Sequence, residues 1–128
     1  MEVSPRGGGN RLSEMLRYST GVDMISNAVR AAIGDPVDEL NMPSYNGYWA
    51  EIILHADKDG VFEEIIIDDN LLEINIREVD MWVNRGHRVN TFRGANDAIG
   101  TLVARFETKN EMIAFINNQS NSIKIIVE

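Results

Sequence analysis

The sequence predicts an α+β fold: a helical N-terminal segment, then a mostly antiparallel β-sheet of about five to seven strands with one covering helix. Three observations carry this expectation. Residues 11–33 place apolar side chains at three- and four-residue steps, the spacing of one helix face. From residue 48 onward the pattern changes to short runs rich in Ile, Val and Phe, separated by polar turns. A single late Thr-x-x-Glu pair, Thr108 and Glu111, marks the start of one more helix. Short links between strands favour antiparallel neighbours, which places the chain in the α+β class.

Each element has its own local cause. Leu12, Met15 and Leu16 form a short apolar stripe. Thr20 reads as an N-cap with Asp23 at the third position, a variant of the capping box. Val22, Ile25, Val29 and Ile33 continue along one face until Gly34 stops the helix and Pro36 prevents its resumption. The stretch 35–46, rich in Pro, Asp and Asn, is the best internal boundary and divides a region 1–42 from a β-rich domain 43–128. Two strand-like runs, 48–56 and 61–67, flank Asp57-Lys58-Asp59-Gly60, a hairpin signal. Runs at 79–83 and 88–92 flank a second turn, Asn84-Arg85-Gly86-His87, and 99–106 is a third strong strand. The helix opened by Thr108 carries Met112, Ile113, Phe115 and Ile116, and residues 123–127 close the chain as a strand.

Composition excludes several function classes. At 128 residues, 44% apolar and 25% charged, the chain is globular and can bury roughly two thirds of its unfolded surface. A net charge of −8 argues against a nucleic-acid groove and against an anionic membrane surface. No apolar run approaches the ~18 residues of a transmembrane helix, and no basic stretch leads into an apolar one as in a signal peptide. The lack of cysteine removes disulfides and thiolate metal sites, and points to a cytoplasmic setting.

The first ten residues hold the strongest chemical signal. Glu2, Ser4 and Arg6 alternate, so on an extended strand they project from one face. That face offers a carboxylate and a hydroxyl to a hard cation, with a fixed positive charge beside them. Gly7, Gly8 and Gly9, followed by Asn10, allow close approach of backbone N–H groups to anionic oxygens. Together these are the requirements of a Mg²⁺ and phosphate site.

Other candidates have plainer readings. A calcium loop starting at Asp57 would need its twelfth ligand at Asp68 and would run through Ile65-Ile66-Ile67, which reads as strand. His55 and His87 lack triad or metal-ligand company and read as surface residues. Glu63-Glu64 and Asp68-Asp69-Asn70 read as solvated strand edges and turns. Trp49 and Trp82 lie in strand-like runs and are expected to pack a sheet face, whereas Tyr45 and Tyr48 flank Asn46-Gly47 and suit an exposed or interfacial role.

The N-terminal motif resembles the last metal-binding strand of the ATP-grasp ligases, which reads Glu-x-Asn-x-Arg followed by glycines. Here the residues are Glu2, Ser4 and Arg6 before Gly7-Gly8-Gly9. The resemblance continues through Thr20-Gly21-Val22-Asp23-Met24-Ile25 to Gly34. Looser signals follow in order at Gly47-Tyr48-Trp49-Ala50-Glu51, Arg85-Gly86-His87-Arg88-Val89, Ala98-Ile99-Gly100-Thr101 and Ile125-Ile126-Val127-Glu128. They are similar to the C-terminal domain of the L-amino-acid ligase and carbamoyl-phosphate-synthase-like branch. The resemblance implies an ATP- and Mg²⁺-dependent ligase acting through an acyl phosphate. It implies metal ligation by Glu2 and Ser4, phosphate or acyl-phosphate contact by Arg6, and nucleotide-phosphate contact by Gly7 to Asn10. Ser4 stands where the family carries Asn, and a hydroxyl is the weaker metal ligand.

It further implies that the adenine site, a phosphate-binding lysine and a second acidic ligand belong to a catalytic part N-terminal to this sequence, so the chain alone is expected to be inactive and to bind neither ATP nor Mg²⁺. Two alternatives belong to other classes. One is a non-catalytic interaction module, in which the β-rich residues 43–128 pack against a catalytic body or a second copy of themselves; self-association is separately expected through the apolar face of residues 11–33. The other is a small-ligand binder using residues 45–49.

Overall fold

The computed structural model describes residues 9–39, 41 and 43–128. The chain divides into two compact units, Met1–Gly47 and Tyr48–Glu128.

The described part of the first unit is a helix pair. Helix α1 spans Leu12–Thr20 and α2 spans Met24–Ile33. Gly21 and Gly34 end them in the left-handed conformation (φ 77° and 80°), which costs glycine nothing and lets the cap N–H groups return to carbonyls of the last turn. The helical reading of 11–33 holds with one correction. Asp23, not Thr20, is the cap of α2: its carboxylate accepts from Ser26 N at 2.9 Å and from Ser26 Oγ at 3.0 Å. Thr20 is the last residue of α1, where its hydroxyl donates to Leu16 O at 2.6 Å and accepts from Val22 N at 3.2 Å. A hydroxyl satisfied by the preceding turn has no reason to cap the next helix.

The second unit is β-rich, as expected, with six strands and two helices among the described residues. In chain order these are β1 (Tyr48–His55), β2 (Gly60–Ile67), α3 (Asp69–Ile74), β3 (Ile76–Met81), β4 (Arg88–Val89), β5 (Ala98–Phe106), α4 (Lys109–Ser122) and β6 (Ile123–Val127). They form two three-stranded sheets, β1-β5-β3 and β4-β2-β6, with antiparallel pairing throughout. The core gathers Ala50, Ile52 and Leu54 from β1, Leu102, Ala104 and Phe106 from β5, Phe62 from β2, Val127 from β6 and Phe115 from α4. Phe106 and Phe115 rings lie 5.2 Å apart in a tilted contact, which fastens α4 to the end of β5.

The Thr108–Glu111 capping box forms in both directions: Thr108 Oγ1 accepts from Glu111 N, and Glu111 Oε2 accepts from Thr108 N, each at 3.2 Å. The turn 84–87 also forms, with His87 N donating to Asn84 O at 3.0 Å and Gly86 at φ 90°.

Three expectations about the strands are corrected. The Asp57–Gly60 segment does not close a hairpin, because β1 and β2 belong to different sheets. Its polar groups are spent on residue 91 instead. Asp59 Oδ1 accepts from Thr91 N at 2.7 Å, and Asp57 O accepts from Thr91 Oγ1 at 3.0 Å. Asp68 is not a loose strand edge: it caps α3 by accepting from Leu71 N at 3.0 Å. Trp82 lies beyond the end of β3, is 54% exposed, and donates its indole N–H to Asp80 at 3.0 Å instead of packing a sheet face.

Candidate functional site

Of the sequence-derived site residues, Glu2, Ser4, Arg6, Gly7 and Gly8 lie outside the described residues. Gly9 and Asn10 are described, and both are exposed at the entry to α1. The backbone there turns sharply: Gly9 O accepts from Leu12 N at 3.3 Å across Asn10 (φ 53°) and Arg11 (φ 56°), both left-handed. Two consecutive positive-φ residues make a turn of the I′ kind. Asn tolerates this conformation, but for Arg it is strained by about 1–2 kcal/mol. The Arg11 guanidinium grips Glu14 with two hydrogen bonds, at 3.1 and 3.2 Å, one turn into the helix. A side chain added at Gly9 would meet nothing within 4 Å. Among the described residues no side chain caps the start of α1.

Two carboxylates are held well ionised. In Asp23 the hydrogen bonds from Ser26, backbone first and then hydroxyl, lower the pKa, and Arg17 adds a smaller pull in the same direction. In Glu107 the hydrogen bond and charge of Arg105 do the same. Both brace local structure.

The β1-β5-β3 sheet has one face in the core and a second face that carries polar groups. Side chains alternate along a strand, so the register sets three rows on this second face. Trp49 is opposite Arg105, Glu51 and Glu78 flank Val103, and Ile53 and Asp80 flank Thr101. Glu51 and Glu78 are two strand spacings apart, roughly 9.5 Å between backbones. Both residues are engaged in interactions of their own. Among the described residues no group of three or more His, Asp or Glu side chains could hold a metal ion.

His55, expected at the surface, has a side chain 40% exposed, but its ring is not free of the fold. A register shift between Leu54 and His55 re-aims its side chain, and its ring stacks on Phe92 at 4.6 Å between centroids. Its Nδ1 is buried without a hydrogen-bond partner. The only trace in the sequence was the nearby turn, whose departure from a hairpin is what brings residues 91–93 alongside. Tyr45 and Tyr48 are exposed as expected, at 73% and 43%.

Among the described residues no helix is long and apolar enough to cross a membrane. No curated protein matches the sequence. Solved structures do match in fold. An L-amino acid ligase from Bacillus licheniformis superposes with a TM-score of 0.76 at 16% identity, over 94% of this chain and 30% of that one. Phosphoribosylglycinamide synthetase from Anaerococcus prevotii gives 0.68 at 22% identity, over 93% and 31%. The biotin carboxylase domain of Hydrogenobacter thermophilus 2-oxoglutarate carboxylase, solved as a dimer with MgADP, ADP and bicarbonate, gives 0.62 at 17% identity, over 97% and 28%. The chain thus spans less than a third of each. The resemblance drawn from the motifs meets a family model for L-amino acid ligase C-terminal domain 2, which matches residues 52–128. That match takes in more than half of the sequence, and the chain belongs to the L-amino acid ligase C-terminal domain 2 family.

Proposed function

We propose that the chain is the C-terminal portion of an ATP- and Mg²⁺-dependent carboxylate–amine or carboxylate–thiol ligase, and that by itself it does not turn over ATP. The observation that carries this reading is the family match over residues 52–128, which begins inside β1 and takes in the rest of the chain. The fold likeness to an L-amino acid ligase over nearly the whole chain supports it.

The donor set fits the groups it is assigned. Glu2 and Ser4 are hard oxygen ligands suited to Mg²⁺, which when bound neutralises phosphate charge. Arg6 would stabilise negative charge on the phosphoryl and acyl oxygens, and the N–H groups of Gly7 to Asn10 would meet the phosphates. The open space at Gly9 and the tight turn at Asn10 and Arg11 agree with a backbone that lets a ligand approach. In the reaction, a substrate carboxylate oxygen takes the terminal phosphoryl group of ATP and releases ADP. The amine or thiol then attacks the acyl carbon, expels phosphate and loses a proton.

The experiment is a chimera in which residues 1–128 replace the matching portion of the Bacillus licheniformis enzyme. Amino-acid-dependent phosphate release is expected, with Glu2→Gln reducing it by about two orders of magnitude, the scale of a lost charge-stabilising group. A chimera equally active with and without Glu2→Gln would overturn the assignment.

A second reading rests on α2. Ile25, Val29 and Ile33 are 48%, 56% and 68% exposed along one helix face. Such a face suits an interaction module, which pairs with a catalytic body or with a second copy of this chain.

A further inference from the structure

Asn46 and Gly47 end the first unit, immediately ahead of β1. Of the asparagines in the sequence, Asn46 alone is followed by glycine. That order sets a side-chain carboxamide next to a backbone nitrogen with no side chain to shield it. Attack of the Gly47 nitrogen on the Asn46 Cγ would close a five-membered ring. The two atoms sit on adjacent residues, so no entropy is spent on bringing them together.

The structure leaves the pair open to this chemistry. Asn46 is exposed and lies outside the helices and strands. Its neighbours Tyr45 and Tyr48 are also exposed, so water and hydroxide reach this stretch. Gly47 sits at φ 75°, a left-handed conformation that glycine adopts freely. Its N–H donates to no backbone carbonyl among the described residues. Asn46 is anchored through its own N–H, which donates to Ser19 O at 2.8 Å and takes no part in the ring.

Asp59-Gly60 is the matching Asp-Gly pair, and there the fold blocks the same reaction. The Asp59 carboxylate accepts from Thr91 N at 2.7 Å. Gly60 pairs with Val89 in the β2–β4 ladder. A Cβ at Gly60 would collide with Glu128 O and with the Val127 side chain, so this backbone has no room to rotate.

We infer that Asn46 is a modification site, where the chain deamidates without an enzyme through a cyclic imide formed with Gly47. Hydroxide takes the Gly47 amide proton, and the nitrogen attacks the Asn46 Cγ. A C–N bond forms, the Cγ–Nδ2 bond breaks, and Nδ2 leaves as ammonia after taking a proton from water. Water then opens the ring. Breaking the bond from the Gly47 nitrogen to Cγ gives aspartate. Breaking its bond to the Asn46 backbone carbonyl carbon gives isoaspartate, whose main chain runs through Cβ. Either product adds a negative charge to a chain of net charge −8. Isoaspartate also lengthens the backbone by one carbon just ahead of Tyr48, which opens β1 opposite Phe106. Loss of ammonia makes the change irreversible, so its extent records the age of the molecule.

The test is peptide mass spectrometry of the full chain, incubated at neutral and at mildly alkaline pH. The peptide holding Asn46 is expected to gain the mass difference between NH and O, faster at the higher pH, with aspartate and isoaspartate separable by chromatography. Gly47→Ala is expected to slow the gain by about tenfold or more, because a Cβ strains the left-handed position and crowds the attacking nitrogen. Asn46→Gln, which cannot close the five-membered ring, keeps its mass and serves where Gly47→Ala disturbs the turn. Isoaspartate at Asp59 is expected only when the chain is unfolded in denaturant. The inference is overturned by no gain at Asn46, by an equally fast gain at other asparagines, by aspartate as the sole product, or by folded-state isoaspartate at Asp59 forming as fast as at Asn46.

Discussion

Asp23 holds the start of α2 through three acceptor contacts with Ser26 and Arg17, at 2.9, 3.0 and 3.7 Å. Because these contacts favour the ionised form, the folded-state pKa lies below the ordinary 3.8. The stabilisation is therefore fully present above the unfolded value and is lost as pH falls through the folded one. The difference in stability between the wild-type chain and Asp23→Ala should be constant from pH 7 to about 5 and shrink below the ordinary value. Denaturant titrations across that range would show it, and a gap that widened on acidification would refute the assignment. Thr108 makes a similar point without a charge. Thr108→Ala should cost about 1 kcal/mol, typical of a lost N-cap. Both caps rest on short-range spacing, but only Thr108 was assigned correctly from sequence. At residues 20–23 two competent caps stand within four positions, and the choice between them depends on which hydroxyl the preceding turn has already consumed.

At the level of elements, the strands were legible from their composition and the sheets were not. Runs such as Ile65-Ile66-Ile67 and Ile125-Ile126-Val127 announce themselves by β-branched content. Which strand pairs with which depends on contacts distant in sequence. The Asp-Gly signal at 59–60 belongs to a real turn, but the Asp59 carboxylate bonds Thr91, 32 residues away, and the chain passes to the other sheet. Helix α3 was missed for a related reason: six residues between two strands carry too little periodicity to show, and only Asp68 marks the start. Close approach of β5 to its neighbour gives a further prediction. A Cβ at Gly100 would sit 2.5 Å from Asp80 O and 3.1 Å from Met81 Cα, both backbone atoms that cannot step aside alone. Gly100→Ala should destabilise the second unit by about 1–3 kcal/mol, the usual cost of overpacking. A thermal melt unchanged by this substitution would show that β3 is not held against β5 as described.

At the level of the whole molecule, the family was legible because its motifs occur in order over most of the chain, and the family match over residues 52–128 takes in the later of them. The motif residues Glu2 to Gly8 fall outside the described residues, so their roles stand on side-chain chemistry and on the turn that follows them. The exposed face of α2 makes its own prediction: we propose that the chain self-associates at micromolar concentration through Ile25, Val29 and Ile33, with a twofold pair as the commonest arrangement. Sedimentation should show a dimer that Ile25→Asp dissociates, and a clean monomer would remove this idea. The central proposal is that Glu2, Ser4, Arg6 and Gly7 to Asn10 supply one part of a ligase site and do not turn over ATP by themselves. It is tested most directly by incubating the chain with ATP, Mg²⁺ and an amino-acid mixture and measuring phosphate. No release above the blank is expected; release that Glu2→Gln abolishes would contradict the claim.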